Sequence, residues 1–599
     1  MSDAQILALQ AEIDALKDKV SVDEKSLNQF FLVVMGSFVM FMQCGFAFLE
    51  AGAVRSKNVV NILIKNVLDC FLGAIIYWAV GFAFAYGDTD KDSSAFIGSK
   101  YFFSIYHEDY ENYRANWFFQ FVFAATASTI VSGAVAERTQ FGSYLIYSTF
   151  ITGFVYPVVS HWGWSGTGWL TASEITSFRP LVPDCANGAL TYGGDAIGFK
   201  DFAGSGLVHC CGGIAALIGA IFIGPRTGRF EKVGDVKRAN NIPGHSVPVA
   251  SLGAFILFLG FLAFNGGSVL AIVDGETDIG EALAKSVMNT IIGGAAGSIF
   301  AISLNLIVSM INGEPQYWSL LVCINGGLAG MVSMCAACDA LNTGAAFGIG
   351  AIAGMTLYWV SAVLKKLHID DPLDAFAVHY GGGVCGILLS PIFAEYGIAS
   401  VPACTQQEDN FLPFWNSQCP DNQITLKRFL YDKVENIFEC DYLAYKQWTW
   451  NFIGLLAITA WTGAICIVMF GLLWYFDKLR VELDVEIRGL DIKKHGEPGY
   501  PTAAYGHGWD EEGNAEAANP FSGNAGGDTG RRDVKSLMGG GFYETSSDGG
   551  LLALAKSYRN SHYKASPASR RSSQISPGEQ RKSLGDINPA LDTVQEDKL

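Results

Sequence analysis

The chain has 599 residues, half of them hydrophobic and only 16% charged, against roughly 25% charged in a soluble domain. Its net charge of −17 repels phosphate backbones, which excludes a nucleic-acid binder. The apolar content excludes a small disulfide-stapled secreted domain, so the composition is that of a membrane-embedded protein.

Residues 1–28 are charged throughout and lack the apolar stretch of a cleavable signal peptide, so the first span is expected to direct insertion. Within them Ile6, Leu9, Ile13, Leu16 and Val20 recur at spacings of three and four, predicting a short amphipathic helix. Two readings stay open for it: a helix lying on the outer face, or a brief coiled coil between subunits.

Eleven apolar runs follow, each near the length of about 20 residues that crosses a hydrocarbon core. They lie near 29–51, 59–85, 115–136, 141–162, 203–224, 247–270, 286–309, 318–335, 343–363, 373–393 and 450–475. Single charges such as Lys65, Asp69 and Lys285 do not remove their spanning character. Orientation follows from basic residues in the connections, because cytoplasmic loops carry the excess. Arg226, Arg229, Lys232, Lys237 and Arg238 follow the fifth run, Arg55 and Lys57 the first, and Lys365 and Lys366 the ninth, whereas 87–113 and 271–284 are acidic. One alternation satisfies them all, with the amino terminus outside and the carboxyl terminus inside.

Cys185, Cys404, Cys419 and Cys440 fall in the long outer loops, where one or two disulfides are expected without a pairing that sequence assigns. Cys210, Cys211, Cys335, Cys338 and Cys385 sit in or at the ends of spans as small packing residues. Beyond about Tyr500 the chain turns to glycine, serine, asparagine and charge, the composition of a disordered tail. Basic residues precede Ser572, Ser573 and Ser583 there, as some kinases prefer, and regulation by a kinase and chance occurrence both stay open.

A repeat sets two histidines apart. Asp201 precedes Val208-His209 with Gly212-Gly213 following, and Asp371 precedes Val378-His379 with Gly382-Gly383 following. The motif opens the fifth and the tenth runs, so it recurs after five spans, and an odd number inverts the second copy in the membrane. Ala47-Phe48 and Ala263-Phe264 echo it faintly in the first and sixth runs. A lone histidine on an apolar face is ordinarily a satisfied core group, but ionisable side chains in hydrocarbon mark a permeation path by default. Two at matching depths would line a narrow conduit for a small polar solute. Near the outer end Phe119 and Phe123 share one helix face, as do Phe264 and Ser268. Trp164 closes the fourth run beside His161, Trp162 and Trp169. Trp162 and Trp169 are expected in an interfacial belt. An aromatic face can hold a small cation by about 0.5–2 kcal/mol.

These residues resemble the ammonium transporter (Amt/Mep/Rh) family, and more closely its Amt branch. The likeness is carried by GFAFLEAGAVRSKN from Gly45 to Asn58, and by DFAGSGLVH from Asp201 to His209 running on to Gly224-Pro225-Arg226. DPLDAFAVH from Asp371 to His379 and GLDIKKHGE from Gly489 to Glu497 complete it. It covers about 28–500. The resemblance implies an all-α membrane protein of eleven transmembrane helices, an inverted five-helix repeat plus an eleventh helix. It implies a homotrimer in the cell membrane, each subunit with its own pore for ammonium or ammonia, with methylammonium as an analogue. It assigns Phe119, Phe123, Trp164 and Ser268 to an outer ammonium site, Phe123 and Phe264 to a gate, His209 and His379 to the pore, and Asp201 to support of the recruitment site. It likens Gly489, Asp491, His495 and Gly496 to the family's tail segment that contacts a neighbouring subunit and couples the pores.

The expected organisation is an extracellular amphipathic segment at 1–28, a transporter domain at 29–476, a cytoplasmic regulatory segment at 477–500 and a tail at 501–599. A charged ion in an apolar pore loses hydration that weak contacts only partly replace, so neutral ammonia should cross after deprotonation. The expected function is electrogenic ammonium uptake. The alternatives are an electroneutral ammonia or carbon dioxide channel of the Rh kind and an ammonium sensor signalling through its tail. No P-loop, GxSxG elbow or HExxH helix is present, so neither enzyme chemistry nor a cofactor or metal is expected.

Overall fold

The computed structural model describes residues 3–87, 94–105, 112–171, 181–184, 189–192, 198–233, 236–273, 278–395 and 426–500, with backbone alone for 4, 181–184, 189–192, 232–233, 236–237 and 426–445. Cys185, Cys404 and Cys419, the side chain of Cys440, and Ser572, Ser573 and Ser583 therefore lie outside the described residues.

Each apolar run becomes a helix: α1 (Asp3–Ala53), α2 (Ser56–Tyr86), α3 (Tyr113–Val135), α4 (Phe141–Trp164), α5 (Ser205–Ile223), α6 (Val247–Val269), α7 (Ile279–Ile311), α8 (Leu320–Met334), α9 (Thr343–Lys366), α10 (Phe376–Phe393) and α11 (Leu426–Tyr475). Among the described residues ten are long and apolar enough to cross a membrane, and α8 is shorter, at 15 residues. Large apolar side chains such as Phe71, Phe255, Trp359 and Trp474 point outward, as they do on surfaces that meet lipid. Two short hairpins, β1 (Leu181–Asp184) with β2 (Ala189–Tyr192) and β3 (Phe230–Val233) with β4 (Val236–Ala239), decorate the loops.

Two features differ from expectation, the course of α1 and the place of Trp162, and α8 is short for a span. The amphipathic segment is not a separate helix, because α1 runs unbroken from it into the first span. At 1.5 Å per residue α8 is only about 22 Å long, because the chain leaves the helix at Cys335 and its carbonyls take other partners. Cys335 O accepts the Ala203 N–H at 2.6 Å and Ala336 O accepts that of Phe202 at 2.9 Å. Non-helical backbone at this depth survives because it is satisfied inside protein. Trp162, expected in a belt, is buried among Phe96, Trp169 and Trp461, with its Nε1–H on Phe96 O.

The charges inside the spans are paired. Lys65 and Asp69 form a buried ion pair one turn apart on α2, and Glu50 accepts from Asn66 at 2.7 Å and from Ser132. Such pairing offsets a desolvation cost of several kcal/mol per ion. At one end of the bundle the connections after α1, α3, α5 and α9 meet in an ionic knot. Glu137 binds Arg55 at 2.9 Å and Arg226 at 3.1 Å, and Asp370 binds Arg226 at 2.8 Å and Arg229 at 3.2 Å. Burial alone would raise Glu137, but Arg226 and Arg55 outweigh it and hold the carboxyl at about 2. Asp370 is likewise depressed by Arg226 against its burial.

Candidate functional site

The duplicated motif builds two matching helix starts. Asp201 Oδ2 accepts the N–H groups of Gly206 at 2.9 Å and Leu207 at 2.8 Å, and Asp371 Oδ2 accepts that of Phe376 at 2.8 Å. In both carboxylates Oδ1 is buried with no hydrogen-bond partner. Burial pushes each carboxyl up to about 7, against the pull of those N–H donors. Each start is a wide π-helical turn, Ser205–Cys210 and Phe376–Gly381, and each turn carries the histidine. Such turns shift side chains off the α-helical register and recur at functional sites.

The paired glycines bring these turns together. A Cβ at Gly212 would stand 2.8 Å from Ala127 O on α3, and one at Gly382 would stand 2.8 Å from Ala329 O on α8. Across the centre, a Cβ at Gly213 would stand 2.7 Å from Tyr380 N, and one at Gly383 only 2.4 Å from Ser205 O. Backbone therefore touches backbone there, which only glycine permits, and the imidazoles meet. His209 Nδ1 and His379 Nδ1 lie 3.2 Å apart, with rings nearly parallel at 15°. Both are buried, and Nε2 of His209 has no partner. Two neutral imidazoles can share that contact only as opposite tautomers, one donating and one accepting. His161 differs, since its nitrogens face the backbone carbonyl oxygens of Ala85 and Ser94, to one of which a neutral ring donates; it stands apart from the imidazole pair.

On one side of the pair stand aromatic rings. Phe264 lies 5.3 Å from His209 and stacks on Phe123 at 4.1 Å. Phe119 lies 4.9 Å from Phe123, and Trp164 meets Phe123 edge-on at 5.8 Å. Trp164 Nε1 donates to Asp201 O at 2.8 Å, so the residue that caps α5 also fixes this indole. Ser268 lies one turn beyond Phe264 and donates to Phe264 O at 2.8 Å, which leaves its oxygen free to accept. The structure thus gathers Phe119, Phe123, Phe264, Trp164, His209 and His379, with Asp201 attached through Trp164 and Ser268 at the rim.

On the other side His379 opens on a mostly apolar cavity lined also by Phe46, Leu257, Phe261, Leu373 and Val378, reaching Asn325 and Glu50. Sequence reading passed over Asp371 as a site residue although the repeat contains it. It also passed over Phe46, Phe261 and Asn325, whose partners lie far along the chain and leave no local signal.

The 489–500 segment docks on the start of α2 of the same chain. Asp491 accepts the N–H groups of Val60 at 3.1 Å and Asn61 at 2.9 Å, and His495 Nε2 meets Asn61 Oδ1 at 3.0 Å. Gly489 (φ +99°) and Gly496 (φ +71°) adopt left-handed backbone, which glycine takes without strain. A Cβ on Gly489 would also strike Lys57. Burial pushes the Asp491 carboxyl up to about 6, against its N–H donors.

Comparison with known proteins agrees with this architecture. The Caenorhabditis elegans protein named "Putative ammonium transporter 1" is 42% identical over 518 residues, which are 85% of this chain and 86% of that one. Ammonium transporter 1 member 3 of Solanum lycopersicum is 34% identical over 481 residues, 79% and 92% of the two chains. Among solved structures, one named "Sensor Amt Protein" superposes with a TM-score of 0.62 at 27% identity, covering 79% of this chain and all of that one. Saccharomyces cerevisiae Mep2 shares the fold, with a TM-score of 0.56 at 20% identity over 76% of this chain and 88% of that one. Residues 30–500 match the Ammonium Transporter Family as a whole, and the chain belongs to that family.

Proposed function

We propose that this chain carries ammonium across a cell membrane, taking the ion at Phe119, Phe123, Trp164 and Ser268 and passing it as ammonia between His209 and His379. The observation that carries the reading is the buried imidazole pair joined at 3.2 Å, with stacked aromatics on one side and an apolar cavity on the other. The rings offer cation–π attraction to an ion that is shedding water. Beyond the Phe123–Phe264 stack, apolar walls disfavour charge, so the proton leaves there and neutral ammonia goes on. With their rings stacked at 4.1 Å, Phe123 and Phe264 act as a gate that swings for each solute. Asp201 is a positioning residue, because it holds Trp164 and the start of α5. The imidazole pair then hands hydrogen bonds to ammonia, and a separate proton passed along the rings and waters makes uptake electrogenic.

The same reading takes 29–476 as an eleven-helix transporter domain in a homotrimer, with the amino terminus outside and the carboxyl terminus inside. It takes 1–28 as extracellular, 477–500 as a cytoplasmic regulatory segment acting through Gly489, Asp491, His495 and Gly496, and 501–599 as a cytoplasmic tail open to a kinase.

Ammonium-evoked current in oocytes, recorded across a pH series, tests the proposal. A saturable inward current is expected, reduced or altered together with methylammonium uptake in His209→Ala and His379→Ala. Unchanged current, uptake and selectivity in both variants would remove the histidines from the pathway, and uptake without current would favour the gas channel. The likeness to a protein named as a sensor keeps a third reading alive. It fails if the chain restores growth to yeast lacking ammonium uptake, which a pure sensor would not do.

A further inference from the structure

We propose that residues 6–24 form a parallel, in-register coiled coil with the same segment of the other copies of this chain in one assembly. The inference rests on the homo-oligomer proposed above and not on ammonium transport.

Asn28 marks where α1 leaves the body of the protein. Its side chain accepts the N–H groups of Ile272 at 2.8 Å and Val273 at 3.0 Å and donates to Val273 O at 2.7 Å. Before it, Ile6, Leu9, Ile13, Leu16 and Val20 are 52%, 48%, 38%, 62% and 62% exposed. They form one continuous apolar seam on a helix whose other faces are mostly polar, with Leu7 and Val22 as separate exposed apolar residues off the seam. In heptad terms Ile6, Ile13 and Val20 take position a, and Leu9 and Leu16 take position d, the pattern of a coiled-coil seam. A helix lying on lipid would instead show a broad apolar face backed by lysine and arginine. Residues 3–28 hold six acids against three lysines, which disfavours an anionic membrane surface.

The flanking charges identify the partner as a second copy. In a parallel pair each g position faces the e position five residues on in its neighbour. Glu12 then faces Lys17, and Lys19 faces Glu24, so both charged contacts are attractive. Slipping one strand by a heptad sets Glu12 against Glu24 or Lys19 against Lys17. Because α1 continues unbroken into the span, copies inserted the same way present these segments parallel without further ordering. Two to three heptads are marginal in free solution, but tethering in one assembly raises their effective concentration. Asp23 at the next d position ends the seam where the strands must part to reach their own membrane domains. The a and d residues favour two strands, so a third strand would be imposed by the membrane domains.

The test uses the full chain in native membranes, oxidised mildly after Leu16→Cys on the seam or Asp18→Cys on the opposite face. The seam variant should give a disulfide-linked dimer about tenfold more abundant than the Asp18→Cys variant or the wild type gives, as proximity in a tethered coil requires. Adding Glu12→Lys should lower that yield severalfold, and Glu12→Lys with Lys17→Glu should restore it. Equal yields at both positions, or none at the seam, overturn the coil, and failure of the double exchange to restore overturns its register. Absence of cross-linking in a preparation that blue-native gels show to be oligomeric strikes the coil alone, whereas a monomer on those gels overturns both the coil and the oligomer. Quenching of a label at position 16 by lipid-phase probes identifies the segment as membrane-lying and also overturns the coil.

Discussion

At the scale of single residues, the site depends on which polar atoms have partners. Three histidines show the difference: His161 has both nitrogens opposite carbonyl oxygens, whereas His209 and His379 have each other and a vacant Nε2 on His209. Trp164 is the clearest single-residue test, because its indole is held by Asp201 O while its face stays beside Phe123. Trp164→Leu keeps apolar bulk but removes a cation–π face of about 0.5–2 kcal/mol, so half-saturation by methylammonium should rise between about twofold and 30-fold. Radiolabelled uptake across concentrations checks this, and an unchanged half-saturation would take Trp164 out of the binding site. The twin histidines were legible because the sequence repeats itself around them. Asn325 and Phe261 were not, because their contacts cross between helices that nothing local links.

At the scale of elements, hydropathy located a helix at each apolar run, ten of them long enough to span among the described residues, since about 20 apolar residues have few alternatives to a membrane helix. It did not foresee the π-helical turns, at which Asp201 and Asp371 accept backbone N–H groups five and six residues on, or the bonds of Cys335 and Ala336 to the 202–203 backbone. The crossing of α5 and α10 depends on bare backbone. Gly383→Val would press a side chain into Ser205 O and Cys210 Sγ, which a Cβ alone meets at 2.4 and 2.6 Å. Overpacking of this kind costs about 1–3 kcal/mol or more. The purified variant should melt well below the wild type in a thermal unfolding assay, whereas Gly348→Ala, where a Cβ meets nothing within 4 Å, should not.

The docked 489–500 segment gives a pH signature. A carboxyl raised to about 6 is protonated more readily when docked, so its contribution to docking is full at low pH and is lost as pH rises through about 6. Lowering pH from 7 to 5 should therefore strengthen docking by about tenfold through Asp491 alone, a gain that His495 opposes, because burial lowers its imidazole in the docked segment. Hydrogen exchange of the 490–496 amides, corrected for intrinsic rates, reads this, and Asp491→Asn should flatten the response.

At the scale of the whole molecule, the ionic knot draws the connections after α1, α3, α5 and α9 to one end, the end that the proposed orientation puts in the cytoplasm. An epitope at the amino terminus should stain on intact cells and one after Leu599 only after permeabilisation. The reverse pattern would invert the whole transport scheme.

The repeat also shows where the two halves part company. Ala127 on α3 stands to Gly212 as Ala329 on α8 stands to Gly382. Four residues earlier on each helix lie Phe123, stacked on Phe264, and Asn325, whose amide points toward Asp374. A framework of mirrored halves thus has dissimilar doorways, a ring at one and an amide at the other. On the proposed pathway, a solute arriving from the amide side meets Phe46 and Phe261 as cavity walls rather than a stacked pair before the imidazoles, so inward and outward journeys would differ in the order of their obstacles, and the rates in the two directions need not share a limiting step.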